Sequence, residues 1–189
     1  MRTSLSVRIA ESPRDKTKLA IPIETLLASA SQAGFDGISV RASAVGIDAS
    51  ESEQMAFARS LQTHRLMASM VTGNLALAKN DHTAAAVLRH ITPHLDLAER
   101  LQCTLVRVML HTSDDVIDAQ RAADEAAERG ITLTQQCHWG SLAETADAAV
   151  ELAQRIDRDN FGITFEPANL LACGGDCGAA AMRLASSVR

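Results

Sequence analysis

The segment AERGITLTQQCHWGSLAET, residues 127–145, contains the pattern that decides the fold. A helical pattern ends at Gly130, where a left-handed C-cap favours glycine, and the run ITLTQQ (131–136), rich in β-branched residues, follows directly. A second helical pattern begins near residue 142. A short strand between two amphipathic helices predicts a parallel βαβ arrangement, because parallel strands are joined by crossovers that are usually helical.

The same alternation extends along the whole chain, with successive strands beginning about 30 residues apart. Gly34 also follows a helical pattern directly, and Ser50 with Glu53 has the spacing of a capping box. The predicted strands are residues 5–10, 37–41, 66–72, 104–110, 131–136 and 161–166. The predicted helices lie near residues 21–33, 51–63, 82–101, 114–129 and 142–156.

Two architectures fit a repeated βα unit, a doubly wound open sheet and a (β/α)8 barrel. An open nucleotide-binding sheet usually has a glycine-rich turn after its first strand, whereas AESPRDK (10–16) contains no glycine. This favours an α/β fold of (β/α)8 TIM-barrel type, with parallel strands in the order 1-2-3-4-5-6. Only about six βα units are present, so we expect either a single domain over residues 1–189 that lacks the last two units or an open sheet.

The composition argues against several classes of protein. The 189 residues carry a net charge of −5 and show no basic stripe for nucleic acid. No apolar run approaches the ~20 residues of a membrane span, and residues 1–16 lack the apolar core of a signal peptide. The four cysteines predict reduced thiols in a cytoplasmic protein. Cys173 and Cys177 alone do not predict a zinc site, which usually needs two such pairs.

Polar side chains follow nearly every predicted strand. In parallel α/β folds the ligand lies at the carboxyl ends of the strands, so these side chains are candidate site residues. They are Arg41, Thr72–Asn74, Arg107, His111, Gln136, His138, Glu166 and Asn169. A buried Arg107 needs either a structural ion-pair partner or an anionic ligand. The remaining histidines fall on helices or helix ends, where we expect solvated side chains, and these are His64, His82, His90 and His94.

Two of these strand ends point most directly to a site. Gln136 and His138 are two residues apart, so a strand would place both on one face. Glu166 ends an apolar strand immediately before a proline, and packing gives no reason for a carboxylate there. We therefore expect Glu166 to have a functional role, with Asn169 turning back toward it.

The segments ITLTQQCHWGSLAET (131–145) and NFGITFEPANLL (160–171) resemble the fifth and sixth strands of the sugar phosphate isomerase/epimerase family. AGFDGISVRAS (33–43), MASMVTGN (67–74) and LAERLQCTLVRVML (97–110) are also similar to that family, so the resemblance covers essentially the whole chain. The family consists of xylose isomerase-like TIM barrels, in a superfamily that includes endonuclease IV.

The resemblance implies a divalent metal at the carboxyl end of the barrel, Mn²⁺ or Mg²⁺ with Zn²⁺ as an alternative. By position, Gln136 and Glu166 match metal ligands, Glu144 and Asn169 match residues that contact substrate hydroxyls, and His138 lies beside the metal. Gln136 replaces a carboxylate that commonly transfers a proton, and an amide cannot do so. The family's histidine and glutamate of strands seven and eight are also expected to be absent, so we expect weak metal binding.

The function implied is a metal-dependent isomerase or epimerase of a small sugar, sugar phosphate or keto-acid, acting by proton abstraction α to a carbonyl. Glu166 and His138 are the expected catalytic residues, with Arg41, Arg107, Glu144 and Asn169 binding substrate. The alternatives are a keto-polyol dehydratase and a non-catalytic barrel that binds a polyol or a partner chain. DNA cleavage is disfavoured by the acidic charge. We expect little activity from this chain alone, no membrane partner, and homo-oligomerisation as an open alternative.

Overall fold

A computed structural model describes residues 2–188. Its strands are β1 (Ser4–Ser6), β2 (Gly37–Arg41), β3 (Met67–Thr72), β4 (Leu105–Val108), β5 (Thr132–Gln136) and β6 (Phe161–Thr164). Its α-helices are α1 (Ile23–Gln32), α2 (Glu51–Thr63), α3 (Leu75–Lys79), α4 (Thr92–Arg100), α5 (Asp115–Glu128), α6 (Ala146–Ile156), α7 (Pro167–Ala172) and α8 (Cys177–Leu184). Two 3-10 helices cover Val7–Ala10 and Ala84–Arg89.

The strands form one six-stranded sheet in the order β1-β2-β3-β4-β5-β6. Pairing is parallel between β1 and β2, β2 and β3, β3 and β4, and β5 and β6. The predicted strand order is therefore confirmed, and the reversal expected of a doubly wound sheet is not observed among residues 2–188. Val188 also forms a parallel bridge with Ile163.

The predicted and observed elements differ most in three respects. The first strand ends at Ser6, and the predicted strand residues 7–10 form a 3-10 helix instead. The predicted helix 82–101 is two elements, because Pro93 has no amide hydrogen to donate and is tolerated only in the first turn of α4. Helices α3, α7 and α8 were not predicted, and each is eight residues or shorter.

The predicted helix ends are confirmed by the backbone geometry. Gly34 and Gly130 follow α1 and α5 with φ angles of +81° and +66°, the left-handed conformation that glycine adopts without strain. At the start of α2 the Ser50 side chain accepts a hydrogen bond from the Glu53 amide, and the Glu53 carboxylate accepts one from the Ser50 amide. This capping box satisfies two amide groups that the helix leaves unpaired.

The described residues divide into two compact units, one formed by residues 2–81 with 92–106 and the other by residues 82–91 with 107–188. In the first unit the core includes Leu27, Ile38 and Leu95, and in the second it includes Leu133 and Ile163, all fully buried. The prediction of a single domain over residues 1–189 stays a prediction. Among the helices of residues 2–188, none combines the length and apolar character that crossing a membrane requires.

His94 is buried, and the prediction that its side chain is solvated is wrong. It lies on α4 with 1% of its surface exposed, and burial lowers its pKa to about 4. Within residues 2–188 its Nδ1 has no hydrogen-bond partner. The apolar side chains Leu95, Leu97 and Ala98 on the same helix are also buried, so the histidine belongs to the packed side of α4.

A methyl group at Gly73 is expected to clash with this imidazole. A Cβ atom added to Gly73, which directly follows β3, would lie 2.5 Å from Nδ1 of His94. We expect Gly73→Ala to lower the free energy of unfolding by about 1–3 kcal/mol, the usual cost of overpacking, as measured by urea denaturation. Gly178→Ala is the control, because an added Cβ meets its nearest neighbour at 3.3 Å and alanine favours helix α8. Equal stability of Gly73→Ala and the parent chain would contradict the prediction.

Candidate functional site at the ends of strands β5 and β6

Gln136 and Glu166 meet at the carboxyl ends of two adjacent strands. The β5–β6 register pairs Gln136 with Thr164, two residues before Glu166. Nε2 of Gln136 donates a hydrogen bond to Oε2 of Glu166 at 3.2 Å, and both side chains are half-buried. The predicted proximity of these two residues is therefore present in the structure, as an amide bonded to a carboxylate.

Asn169 turns back toward the same strand end, as the sequence predicts. Glu166 is the N-cap of α7, and Pro167 occupies the first turn, where its missing amide hydrogen costs nothing. This short helix carries Asn169 to the end of β5, where its Nδ2 donates to the carbonyl oxygen of Cys137 at 2.8 Å. The side-chain amide of Asn169 therefore ties the α7 turn to the residue that follows Gln136.

Cys137 is a buried thiol within this cluster. Burial raises the pKa of the Cys137 thiol, outweighing hydrogen bonds to the backbone of Glu166 and of Cys137 itself, and the Glu166 carboxylate acts in the same direction as burial. A thiolate is the reactive form of cysteine, and this environment disfavours it. Cys137 therefore fills space beside Glu166 and is not suited to act as a nucleophile.

The loop between β5 and α6 is held by several short hydrogen bonds. Nδ1 of His138 bonds to the carbonyl oxygen of Trp139 at 2.7 Å, and the Ser141 hydroxyl donates to the carbonyl oxygen of His138 at 2.7 Å. The Glu144 carboxylate accepts a hydrogen bond from the amide of Gly140 at 3.0 Å. Glu144 therefore braces the loop that carries His138.

A cavity of about 420 Å³ adjoins this loop on the side of Glu144. It lies between the start of α6 and the helices α7 and α8, with Leu170, Cys173, Gly174 and Arg183 among its lining residues. Its volume is within the range of small-molecule sites. Of the predicted site residues, Glu144 lines this cavity, whereas Gln136, His138 and Glu166 are not among the described residues around it.

Gln135 is a site residue that the sequence analysis missed. Its side chain is fully buried, its Oε1 accepts from the amide of Leu110 at 2.7 Å, and its Nε2 donates to the carbonyl oxygen of Gln136 at 2.7 Å. It therefore fixes the backbone that carries Gln136. The signal was available, because a second glutamine beside Gln136 on a strand faces the opposite side of the sheet, where a polar group needs a partner.

Arg41 ends β2 in the other unit and is engaged by its own neighbours. Its Nε donates to the Glu11 carboxylate at 2.7 Å, and its Nη2 donates to the carbonyl oxygen of Ala78 at 2.5 Å. The Glu11 side chain is fully buried and also accepts from Ser43 and pairs with Arg8. This network gives Arg41 a structural role, and its predicted role in binding substrate stays a prediction.

Arg107 and His111 lie on β4 and after it. Arg107 is 2% exposed, so its buried charge needs either a structural partner or a ligand, as expected from its position in an apolar strand. The ring of His111 bonds through Nδ1 to the carbonyl oxygen of Gly140 at 3.0 Å, so His111 supports the loop after β5. The role of Arg107 in binding substrate stays a prediction.

The residues present do not by themselves form a metal centre. Residues 2–188 contain no group of three His, Cys, Asp or Glu side chains placed to share a cation. Gln136 and Glu166 supply oxygen atoms, which suit hard cations, but the amide NH₂ of Gln136 faces the carboxylate. This donor set therefore fits a divalent metal poorly.

A model of one protein family, described as xylose isomerase-like TIM barrel, matches residues 27–188. The chain belongs to this family. The sequence-based resemblance and the six parallel βα units agree with the match. A comparison with curated proteins finds no match.

Several solved structures share this fold at low sequence identity. D-psicose 3-epimerase with D-tagatose from Clostridium cellulolyticum H10 has a TM-score of 0.73 and 12% identity, covering 100% of this chain and 71% of that one. A xylose isomerase-like TIM barrel protein from Mycobacterium smegmatis in complex with magnesium has a TM-score of 0.75 and 15% identity, covering 100% and 72%. The probable 3-DHS dehydratase AsbF from Bacillus anthracis has a TM-score of 0.73 and 14% identity, covering 100% and 71%.

Proposed function

We propose that this protein is an isomerase or epimerase of a small sugar, sugar phosphate or keto-acid, acting by proton abstraction from the carbon α to a carbonyl. The family is consistent with this chemistry, and the structural neighbours include an epimerase solved with D-tagatose. The observation that carries the proposal is the half-buried pair of Gln136 and Glu166 at the carboxyl ends of β5 and β6. Ligand sites in this fold lie at those strand ends.

The two residues of this pair have different roles in the proposed reaction. Glu166 is the carboxylate of the pair and takes the proton, because Gln136 has no site that accepts one near neutral pH. The NH₂ group of Gln136 holds the Glu166 carboxylate in place through their 3.2 Å hydrogen bond. His138, in the loop that follows β5, returns the proton, since imidazole commonly transfers protons near neutral pH.

Glu144, in the loop between β5 and α6, and Asn169, on α7, are the residues that bind substrate hydroxyls in this proposal. Glu144 has carboxylate oxygens that accept hydrogen bonds, and it lines the 420 Å³ cavity. Arg41 and Arg107 remain predicted substrate-binding residues, because each lies at or near the carboxyl end of a strand. The cytoplasmic location also remains a prediction.

Binding of Mn²⁺ or Mg²⁺ is proposed to be weak in this chain, and Gln136→Glu is expected to strengthen it. The substitution places a second carboxylate beside Glu166, and the affinity of oxygen sites for divalent cations rises with ligand charge. We expect at least a roughly tenfold tighter dissociation constant for Mn²⁺, measured by calorimetry or by the electron paramagnetic resonance signal of free Mn²⁺.

The matched control for this substitution is Gln120→Glu. Gln120 lies on α5, where its amide donates to the carbonyl oxygens of Arg155 and Ile156, away from the end of β5. Gln120→Glu changes the net charge by the same amount as Gln136→Glu. Equal gains in Mn²⁺ affinity from both variants would show a general electrostatic effect instead of a site at Gln136.

A non-catalytic binding protein is the second candidate, and the amide of Gln136 is the observation that favours it. Exchange of the substrate α-proton in deuterated buffer, followed by nuclear magnetic resonance with D-tagatose and D-fructose as probes, separates the two. We expect sugar binding by calorimetry together with slow exchange. Binding without exchange identifies the non-catalytic protein, and the absence of both contradicts the proposed function. Loss of water from the probe, in place of a change at one carbon, would identify a dehydratase.

A further inference from the structure

Trp139 lies in the loop between β5 and α6 and is 73% exposed. The chain has one tryptophan, four phenylalanines and no tyrosine, and all four phenylalanine rings are buried or half-buried. Trp139 is thus the single exposed aromatic side chain among residues 2–188. Tryptophan has the largest apolar surface of any side chain, so an exposed indole forgoes a burial energy that this chain's other aromatic residues gain.

The loop that carries Trp139 is braced from three directions. The amide of Leu142 donates to the carbonyl oxygen of Leu110 at 3.0 Å, and the His111 ring bonds to the carbonyl oxygen of Gly140 at 3.0 Å. The Glu144 carboxylate accepts from the Gly140 amide, as described above. Within residues 2–188 the indole N–H of Trp139 donates no hydrogen bond. The backbone is therefore fixed while the ring stays available, which is the arrangement of a preorganised contact.

The charges around this loop indicate what kind of ligand it accepts. The segments 137–145 and 165–176, which follow β5 and β6, contain no lysine or arginine and carry the three carboxylates Glu144, Glu166 and Asp176. Arg183 lines the adjoining cavity together with Glu144 and Asp176, but its guanidinium already donates to the Asp147 carboxylate at 2.8 Å. A phosphate group would therefore face like charges here without an uncommitted cation from either segment, and like charges at close range disfavour binding. Carboxylate and amide oxygens instead accept hydrogen bonds from hydroxyl groups.

We propose that Trp139 stacks on the apolar face of an uncharged sugar and so selects free sugars over sugar phosphates. This inference rests on the proposed function, and it narrows the substrate class of the same site. A sugar has C–H groups on one face and hydroxyls around its edge. The exposed indole offers a surface for the C–H face, and Glu144, which braces the same loop, offers an acceptor for the hydroxyls. The ring surface adds apolar contact that a rigid aromatic side chain provides at low conformational cost.

The single tryptophan makes this contact directly observable by fluorescence. We expect D-fructose and D-tagatose to change the emission of Trp139 saturably, and D-fructose 6-phosphate to bind at least about tenfold more weakly than D-fructose. Calorimetry should show an affinity loss of about tenfold or more for Trp139→Ala and a smaller loss for Trp139→Phe, which keeps an aromatic face. Ile117→Ala, which removes a side chain that is 64% exposed on α5, should bind like the parent chain.

Three results would overturn the inference, and each differs from failure of the proposed function. If Trp139→Ala binds sugar as tightly as the parent chain, the stacking contact is contradicted and the isomerase proposal is unaffected. Tighter binding of D-fructose 6-phosphate than of D-fructose removes the selection against phosphate. An emission change that depends on protein concentration without sugar shows that a second copy covers the indole. Failure of the proposed function would instead appear as the absence of α-proton exchange. The three results above do not decide that measurement, since a stacking contact takes no part in proton transfer.

Discussion

Replacing Glu166 with glutamine is expected to lower the rate of α-proton exchange by about 10²–10⁴-fold, the usual effect of losing a general base. Glutamine has nearly the same shape, and its amide can still bond to Gln136, so the fold should be retained. What it loses is the ability to take a proton. The measurement is exchange of the probe sugar's α-proton in deuterated buffer, with thermal unfolding recorded on the same samples.

The control for this substitution is Glu128→Gln, an exposed carboxylate near the end of α5. It makes the same chemical change at a position distant in sequence from β5 and β6, and its exchange rate should match that of the parent chain. If Glu166→Gln exchanges at the parental rate, the base has been assigned to the wrong residue. If exchange falls but sugar binding persists, the result locates the loss in proton transfer and not in recognition.

The fold was predictable because it depends on patterns that repeat along the chain. Each predicted strand exists, and Gly34 and Gly130 mark the ends of their helices through the left-handed backbone they require. The exceptions are local. The first strand gives way to a 3-10 helix after Ser6, and Pro93 interrupts a helical pattern that hydropathy alone extends across it. Short helices such as α7 contain too few turns to show a periodicity.

The site was predictable to the extent that it depends on strand ends. Gln136 and Glu166 end neighbouring strands of a parallel sheet, so their proximity follows from the strand order. The partners of Arg41 were not predictable. Its carboxylate partner Glu11 lies 30 residues earlier, directly after the predicted first strand. Ion pairs between side chains distant in sequence need the register of the sheet and the path of the loops. His94 shows the same limit, since a histidine on a helix can face either side.

Acid is expected to destabilise the fold through His94. The pKa of this side chain is about 4 in the folded protein, against an ordinary value of 6.5, because its imidazole is buried. Above pH 6.5 the ring is neutral in both folded and unfolded chains, and its contribution to stability is constant. As the pH falls from 6.5 toward 4, the unfolded chain binds a proton that the folded chain does not, so the free energy of unfolding falls.

The expected loss from His94 across this window is on the order of 3 kcal/mol, since each unit of pKa difference corresponds to about 1.4 kcal/mol. Urea denaturation at pH 7, 5.5 and 4.5 measures it, with His94→Gln as the test variant, because glutamine is polar and does not titrate. Carboxylates contribute to acid destabilisation in every variant, so the quantity compared is the slope against pH and not the stability at one pH.

His90→Gln is the matched control, because His90 lies four residues earlier and is exposed. We expect the parent chain and His90→Gln to lose stability in parallel between pH 6.5 and 4.5, and His94→Gln to lose clearly less. Parallel slopes of the free energy of unfolding against pH for all three proteins would contradict the prediction. They would show that His94 binds its proton in the folded state without a measurable loss of stability.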